Sequence, residues 1–212
     1  MSTSHSRMLL ATATLAGVLG LAACAAGPGS SPAPTSSASS TGDISGAAPP
    51  DGRVIGTGTV LDVAGDAQLC LGAVAESYPP QCTGIPLDGW TWEGVDGSET
   101  SGDTQWGTYA VYGTFDGDRY TVTDPPIMLA LYDPIRPEDP AGGVDGTSSE
   151  ADLARIQDEL ASSLGREALS LWIERGYVWV NVVWDDGTLQ DALDAEYGDD
   201  VVIVTSALRE ID

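Results

Sequence analysis

Apolar and polar positions divide the chain into blocks of different period. Positions 8–20 are apolar almost throughout, whereas 25–50 contain hardly any large apolar residue. From 52 to 132, short alternating runs are punctuated by glycine and proline, the pattern of an all-β fold. Positions 53–61 read as a first strand whose Gly56 and Gly58 suit sharp coiling. Positions 68–75 read as a second, and 82–87 contain a third. Two runs, 109–115 and 119–123, flank Asp116-Gly117, the hairpin signal of this chain. Roughly five short strands in about 80 residues suit a small Greek-key barrel of the OB type, with a small open sandwich as the alternative.

Positions 133–148, rich in proline, glycine and acids, predict a linker. At 149 the period changes. Ser149, with Asp152 three positions on, predicts a helix N-terminus, and Leu153, Ile156, Leu160 and Leu164 recur on one helical face. Gly165 ends that helix. Positions 169–173 alternate, 174–176 turn, and 177–184 form a β-branched and aromatic strand. Thr188 and Asp191 repeat the capping pattern for a helix to about Tyr197, closed by Gly198, and 201–208 predict a last buried strand. The order α-β-β-α-β predicts an α+β unit over 149–212. With 127–131 as a leading strand it becomes ferredoxin-like.

The first block has a basic residue, Arg7, then a short apolar run, then Leu21-Ala22-Ala23-Cys24. That is the pattern of an export signal. The junction resembles a lipobox, the processing site of bacterial lipoproteins, and the resemblance implies removal of 1–23 and lipidation of Cys24. An uncleaved membrane anchor is the competing reading; Ala, Gly and Thr dilute the run, and a cysteine stands at the cleavage position. Positions 24–51 then form a flexible stalk with a root-mean-square span of roughly 30 Å. The organisation expected is signal 1–23, stalk 24–51, barrel 52–132, linker 133–148 and α+β domain 149–212. The expected location is the outer side of the cell membrane, held by the N-terminal lipid.

Charge and missing residues narrow the chemistry. The processed chain retains all 32 acids against seven arginines, has no lysine, and loses His5, its one histidine, with the signal. Such an excess of negative charge repels nucleic acid and anionic headgroups. Without histidine there is no Ser-His-Asp triad or histidine-bearing zinc site, and without lysine no Schiff-base nucleophile. Carboxylate chemistry of the glycosidase kind survives these exclusions. No catalytic, cofactor or metal residue is assigned. Gly56-Thr57-Gly58-Thr59-Val60-Leu61 enters no helix and is no dinucleotide fingerprint, and Asp185-Asp186-Gly187 lacks the ligand pattern of a calcium loop. Cys70 and Cys82 remain as an even pair in an oxidising compartment. A bridge between them contributes about 3 kcal/mol, and two buried thiols are the alternative.

Leu69-Cys70-Leu71-Gly72, Pro79-Pro80-Gln81-Cys82 and Gly89-Trp90 resemble segments of secreted actinobacterial lipoproteins. That group has no assigned activity; the resemblance covers 52–132 and implies an exported, bridged β unit. The candidate binding surface is the aromatic set Trp90, Trp92, Trp106 and Tyr109. It reads either as a stacking platform for a sugar or partner side chain, or as core and rim packing. Beside it, 93–103 predict a mobile acidic loop. Tyr177, Trp179 and Asn181 share a strand face, covered or open. The function expected is a non-catalytic envelope module holding a protein or cell-wall partner. The alternatives are a carboxylate-dependent wall hydrolase, which needs facing acids, and an inhibitor or chaperone-like module presenting the 76–81 loop.

Overall fold

The computed structural model describes residues 46–134 and 136–211; the signal, Cys24 and the stalk as far as residue 45 lie outside the described residues. Two long strands, β1 (Arg53–Val63) and β5 (Thr104–Phe115), organise the first sheet. Between them come β2 (Asp66–Cys70), β3 (Ile85–Asp88) and the short β4 (Glu99–Ser101), and after them β6 (Tyr120–Val122) and β7 (Ile127–Met128). β1 pairs with β2, β2 with β3, β3 in parallel with β6, β6 with β5, and β5 back with β1. The result is a closed five-stranded barrel, not an open sandwich.

Coiling this tightly brings backbones within contact distance. A Cβ at Gly58 would fall on the Cys70 carbonyl oxygen, and one at Gly113 on the Thr121 carbonyl and the Tyr120 ring. Only glycine allows those strands to cross there. Val54, Val60, Leu69, Val111 and Tyr120 fill the interior. The Tyr120 hydroxyl lies 2.9 Å from the Val54 carbonyl and 2.7 Å from that of Val111, sharing its proton between the two strands that close the barrel.

Several sequence expectations shift. β2 stops at Cys70, because the chain leaves there for a loop closed by the Cys70–Cys82 disulfide. The acidic 93–103 stretch is not wholly a loop, since β4 pairs with the start of β5. Ile127 and Met128 pair with Ala110 and Tyr109 of β5 and do not lead the second unit. A ferredoxin-like arrangement lacks that strand.

The second unit contains α1 (Glu150–Leu164), β8 (Ala168–Glu174), β9 (Tyr177–Val182), α2 (Thr188–Tyr197) and β10 (Val202–Ser206). Ser149 caps α1 as predicted, its hydroxyl accepting from the Asp152 amide at 3.2 Å. Thr188 does not cap α2. Gly187, at φ 102°, precedes the helix, and the Asp185 carboxylate accepts from the Leu189 and Gln190 amides. This accounts for the acids that superficially resembled a calcium loop. The sheet runs β10-β9-β8, with β10 parallel and β8 antiparallel to β9. Both helices bury their apolar stripes on the Val178, Val180 and Val182 face. Glutamines from the helices satisfy the sheet's edge strands: Gln190 bonds the Val202 carbonyl and Val204 amide, and Gln157 the Leu171 carbonyl.

The 133–148 segment is pinned and is not a free linker. Asp139 receives both arms of the Arg175 guanidinium at 2.8 Å, and Gly146 donates its amide to the Arg175 carbonyl. Tyr177 donates to the Val144 carbonyl, and Ala141 packs on Tyr177, Trp179 and Ile203. The aromatic face of β9 is therefore covered at Tyr177 and Trp179, and it is a loop that covers it.

The predicted last strand divides. After β10 the chain turns at Ala207, and β11 (Leu208–Ile211) pairs with Arg53–Gly56 of β1. Leu208 enters the barrel core and packs its methyl end close over Gly56. The boundary expected at 149 thus does not isolate two domains. The C-terminal strand belongs to the barrel's sheet, and the described residues form one compact unit.

Candidate functional site

The barrel separates the four aromatic residues singled out in the sequence. Side chains alternate across a strand, so Trp106 and Tyr109, three apart on β5, face opposite ways. Tyr109 points inward and is 1% exposed. Trp106 points outward, packing with Leu61, Cys70 and Cys82, and Tyr78 meets it edge-on at 5.3 Å. Trp106 thus belongs to the disulfide's cluster and not to the surface around Trp90.

Trp90, Trp92 and Tyr109 do come together. Trp90 lies 5.1 Å from Trp92 and 5.5 Å from Tyr109 between ring centres. The Trp92 indole donates to the Asp62 carboxylate at 2.9 Å, and the Tyr109 hydroxyl donates to the Asp96 carbonyl at 3.0 Å. These bonds draw the 89–96 loop across the end of the barrel where β1 finishes and β5 begins. Trp90, Trp92, Val95 and Met128 pack there against the core. The aromatic set is a stopper, and one side of it is also a wall.

Beyond the stopper, the 89–96 loop and residues 122–131 enclose a cleft of about 540 Å³. Trp90, Tyr109 and Val95 line one side; Pro125, Pro126 and Leu131 line the other. Leu131 is 74% exposed. Three acids, Glu93, Asp96 and Asp124, complete the lining, with no basic residue among them. Arg53 binds Asp124 from outside, whereas the Glu93 and Asp96 carboxylates have no hydrogen bond or ion pair among the described residues. Burial, and then the charge of Asp96, push the Tyr109 phenol above its ordinary pKa. The Trp90 indole N–H is buried without a partner, the one such side-chain group among the described residues. The 122–131 wall was missed in the sequence, where its Pro125-Pro126 pair was the available signal of an edge that leaves the sheet.

A second hollow, about 620 Å³, lies between the opposite end of the barrel and the second sheet, beside Phe115, Val183 and Trp184. The incoming chain crosses it. Trp184 donates to the Ala48 carbonyl at 2.9 Å, and the Ala48 amide donates to Asp186 at 2.8 Å.

Among the described residues, no group of three or more His, Cys, Asp or Glu is placed to hold a metal ion. No helix among them is long and apolar enough to cross a membrane. Hydrogen bonds hold the carboxyls of Asp88, Asp116, Asp139 and Asp186 below their ordinary pKa. Comparison with protein-family models, curated proteins and solved structures finds no match.

Proposed function

We propose that this chain is a lipid-anchored binding module of the cell envelope, facing outward, without catalytic activity of its own. It holds a protein or cell-wall partner in the cleft at the stoppered end of the barrel. The observation that carries this reading is the cleft itself, a concave, aromatic-walled site with a few polar groups, of the size at which ligands bind. Taken in chain order, the barrel strands follow 1-2-3-5-4-1 with strands 3 and 5 parallel, which supports an OB-type barrel, a scaffold of binding proteins. The lipobox at Cys24 and the Cys70–Cys82 disulfide support the location.

Mass spectrometry of the mature N-terminus tests the anchor: diacylglyceryl-Cys24 is expected, and a bare Cys24 or a retained leader refutes it. A photo-crosslinker at Leu131, in intact cells, tests the site. It should capture a discrete envelope component, and labelling no different from a crosslinker at exposed Ala192 on α2 refutes the cleft.

The 76–81 loop favours a second reading, a module presenting that loop to a partner. The disulfide and an Ala75–Gln81 bridge brace it, and Tyr78 at its tip is 72% exposed. If Tyr78→Ala abolishes partner capture and Leu131 crosslinks nothing, this reading replaces the first.

A further inference from the structure

Resting on that reading of the cleft, we infer that its ligand is an extended peptide segment carrying a basic side chain next to an apolar one. Three independent features of the wall specify it. The charged residues lining the cleft are all acids, and the nearby guanidinium, Arg53, is already bound to Asp124. Glu93 and Asp96 therefore present unpaired carboxylates in the same cleft as the half-buried Trp90 ring, an arrangement that attracts an organic cation by charge and by the ring quadrupole. An anionic ligand would meet both these carboxylates and the net charge of the chain, −24.

Leu131 and Pro125 form an exposed apolar wall opposite, which needs an apolar side chain to cover it. The Trp90 indole is a buried donor without an acceptor, a costly arrangement in a finished structure. A peptide carbonyl supplies that acceptor after a small shift of the loop. A bare metal ion satisfies none of the apolar requirements. The cleft holds about two or three side chains, so a short segment suffices.

The test uses the mature protein in nanodiscs of zwitterionic lipid and dye-labelled capped tetrapeptides, Ala-Leu-Arg-Ala and its Gln, Glu and Ser-Arg counterparts, read by fluorescence anisotropy. The Leu-Arg peptide should bind saturably, Leu-Gln and Ser-Arg about tenfold more weakly, and Leu-Glu not measurably. Glu93→Gln and Asp96→Asn should each weaken Leu-Arg about two- to fivefold and leave Leu-Gln unchanged. Trp90→Phe, which keeps the ring and removes the N–H, should weaken both peptides. Unchanged melting curves show that these variants fold. Equal binding of the four peptides overturns the inference. So does an equal loss in Asp158→Asn, a control on α1 outside the cleft, because the attraction is then only the general field. Saturable binding of glucosamine in place of the peptides also overturns it. A specific crosslink at Leu131 with no peptide binding sinks this inference alone, whereas loss of that crosslink sinks the cleft.

Discussion

Replacing Tyr120 by phenylalanine isolates the polar bond at the centre of the barrel. The ring is fully buried, and its hydroxyl serves carbonyls on both β1 and β5. Tyr120→Phe keeps the packing and leaves those carbonyls short of a donor, a loss of about 1–3 kcal/mol at neutral pH. The cost must also depend on pH. Burial raises the Tyr120 pKa far above its ordinary value of 10.0. In the unfolded chain the phenol ionises near pH 10, so the unfolded state binds fewer protons above that point and the wild type loses stability as pH rises. At pH 11 this loss is about 1.4 kcal/mol for one phenol, and the phenylalanine variant is spared it. The difference between the two proteins should therefore shrink by about that amount between pH 8 and pH 11. Tyr109 and Tyr197 are also raised, but they titrate in both proteins and cancel. Urea unfolding at the two pH values, followed by tryptophan emission, measures it. A difference below about 0.5 kcal/mol at pH 8, or one that stays constant with pH, refutes the assigned role.

Replacing both Cys70 and Cys82 by serine opens the twelve-residue separation they span and should cost about 3 kcal/mol in denaturant unfolding. Emission from Trp106, which packs on the bridge, should shift red in the folded variant. Gly58→Ala puts a methyl group on the Cys70 carbonyl, forces β1 from β2, and should lower stability by about 1–3 kcal/mol or more; a neutral effect refutes the close crossing. Asp139 is held below its ordinary pKa by the Arg175 guanidinium and then by backbone amides. Its contribution is present above the unfolded carboxyl value and is lost as pH falls through the lower folded one. Asp139→Asn should therefore lower the melting temperature at pH 7, with the gap closing under acid conditions, as thermal scans across pH would read.

The local elements were legible because their signals are local. The Leu153, Ile156, Leu160 and Leu164 stripe, its Ser149 cap and the hairpin signalled by Asp116-Gly117 depend on neighbours a few positions away, and each forms, the hairpin with its tip one residue later at Gly117-Asp118. The aromatic set was legible as residues but not as a site. Strand parity alone separates Trp106 from Tyr109, and that signal was available; it does not tell which face is inside. The Asp185 cap was hidden because Thr188 offered the same pattern three residues later.

What the amino-acid order determined by itself is the alternation of strand and helix, the acidic balance and the exclusion of lysine chemistry, with Cys70 and Cys82 as the candidates for a bridge. Tertiary structure alone decided closure of the barrel through β1 and β5, the return of β11 to β1, the pinning of 133–148, and the cleft. Each joins residues distant in the chain: Arg53 meets Ile211, and the walls holding Trp90 and Leu131 face each other. Periodicity reports which face of an element is apolar, whereas the surface that covers it is chosen by packing over the whole molecule.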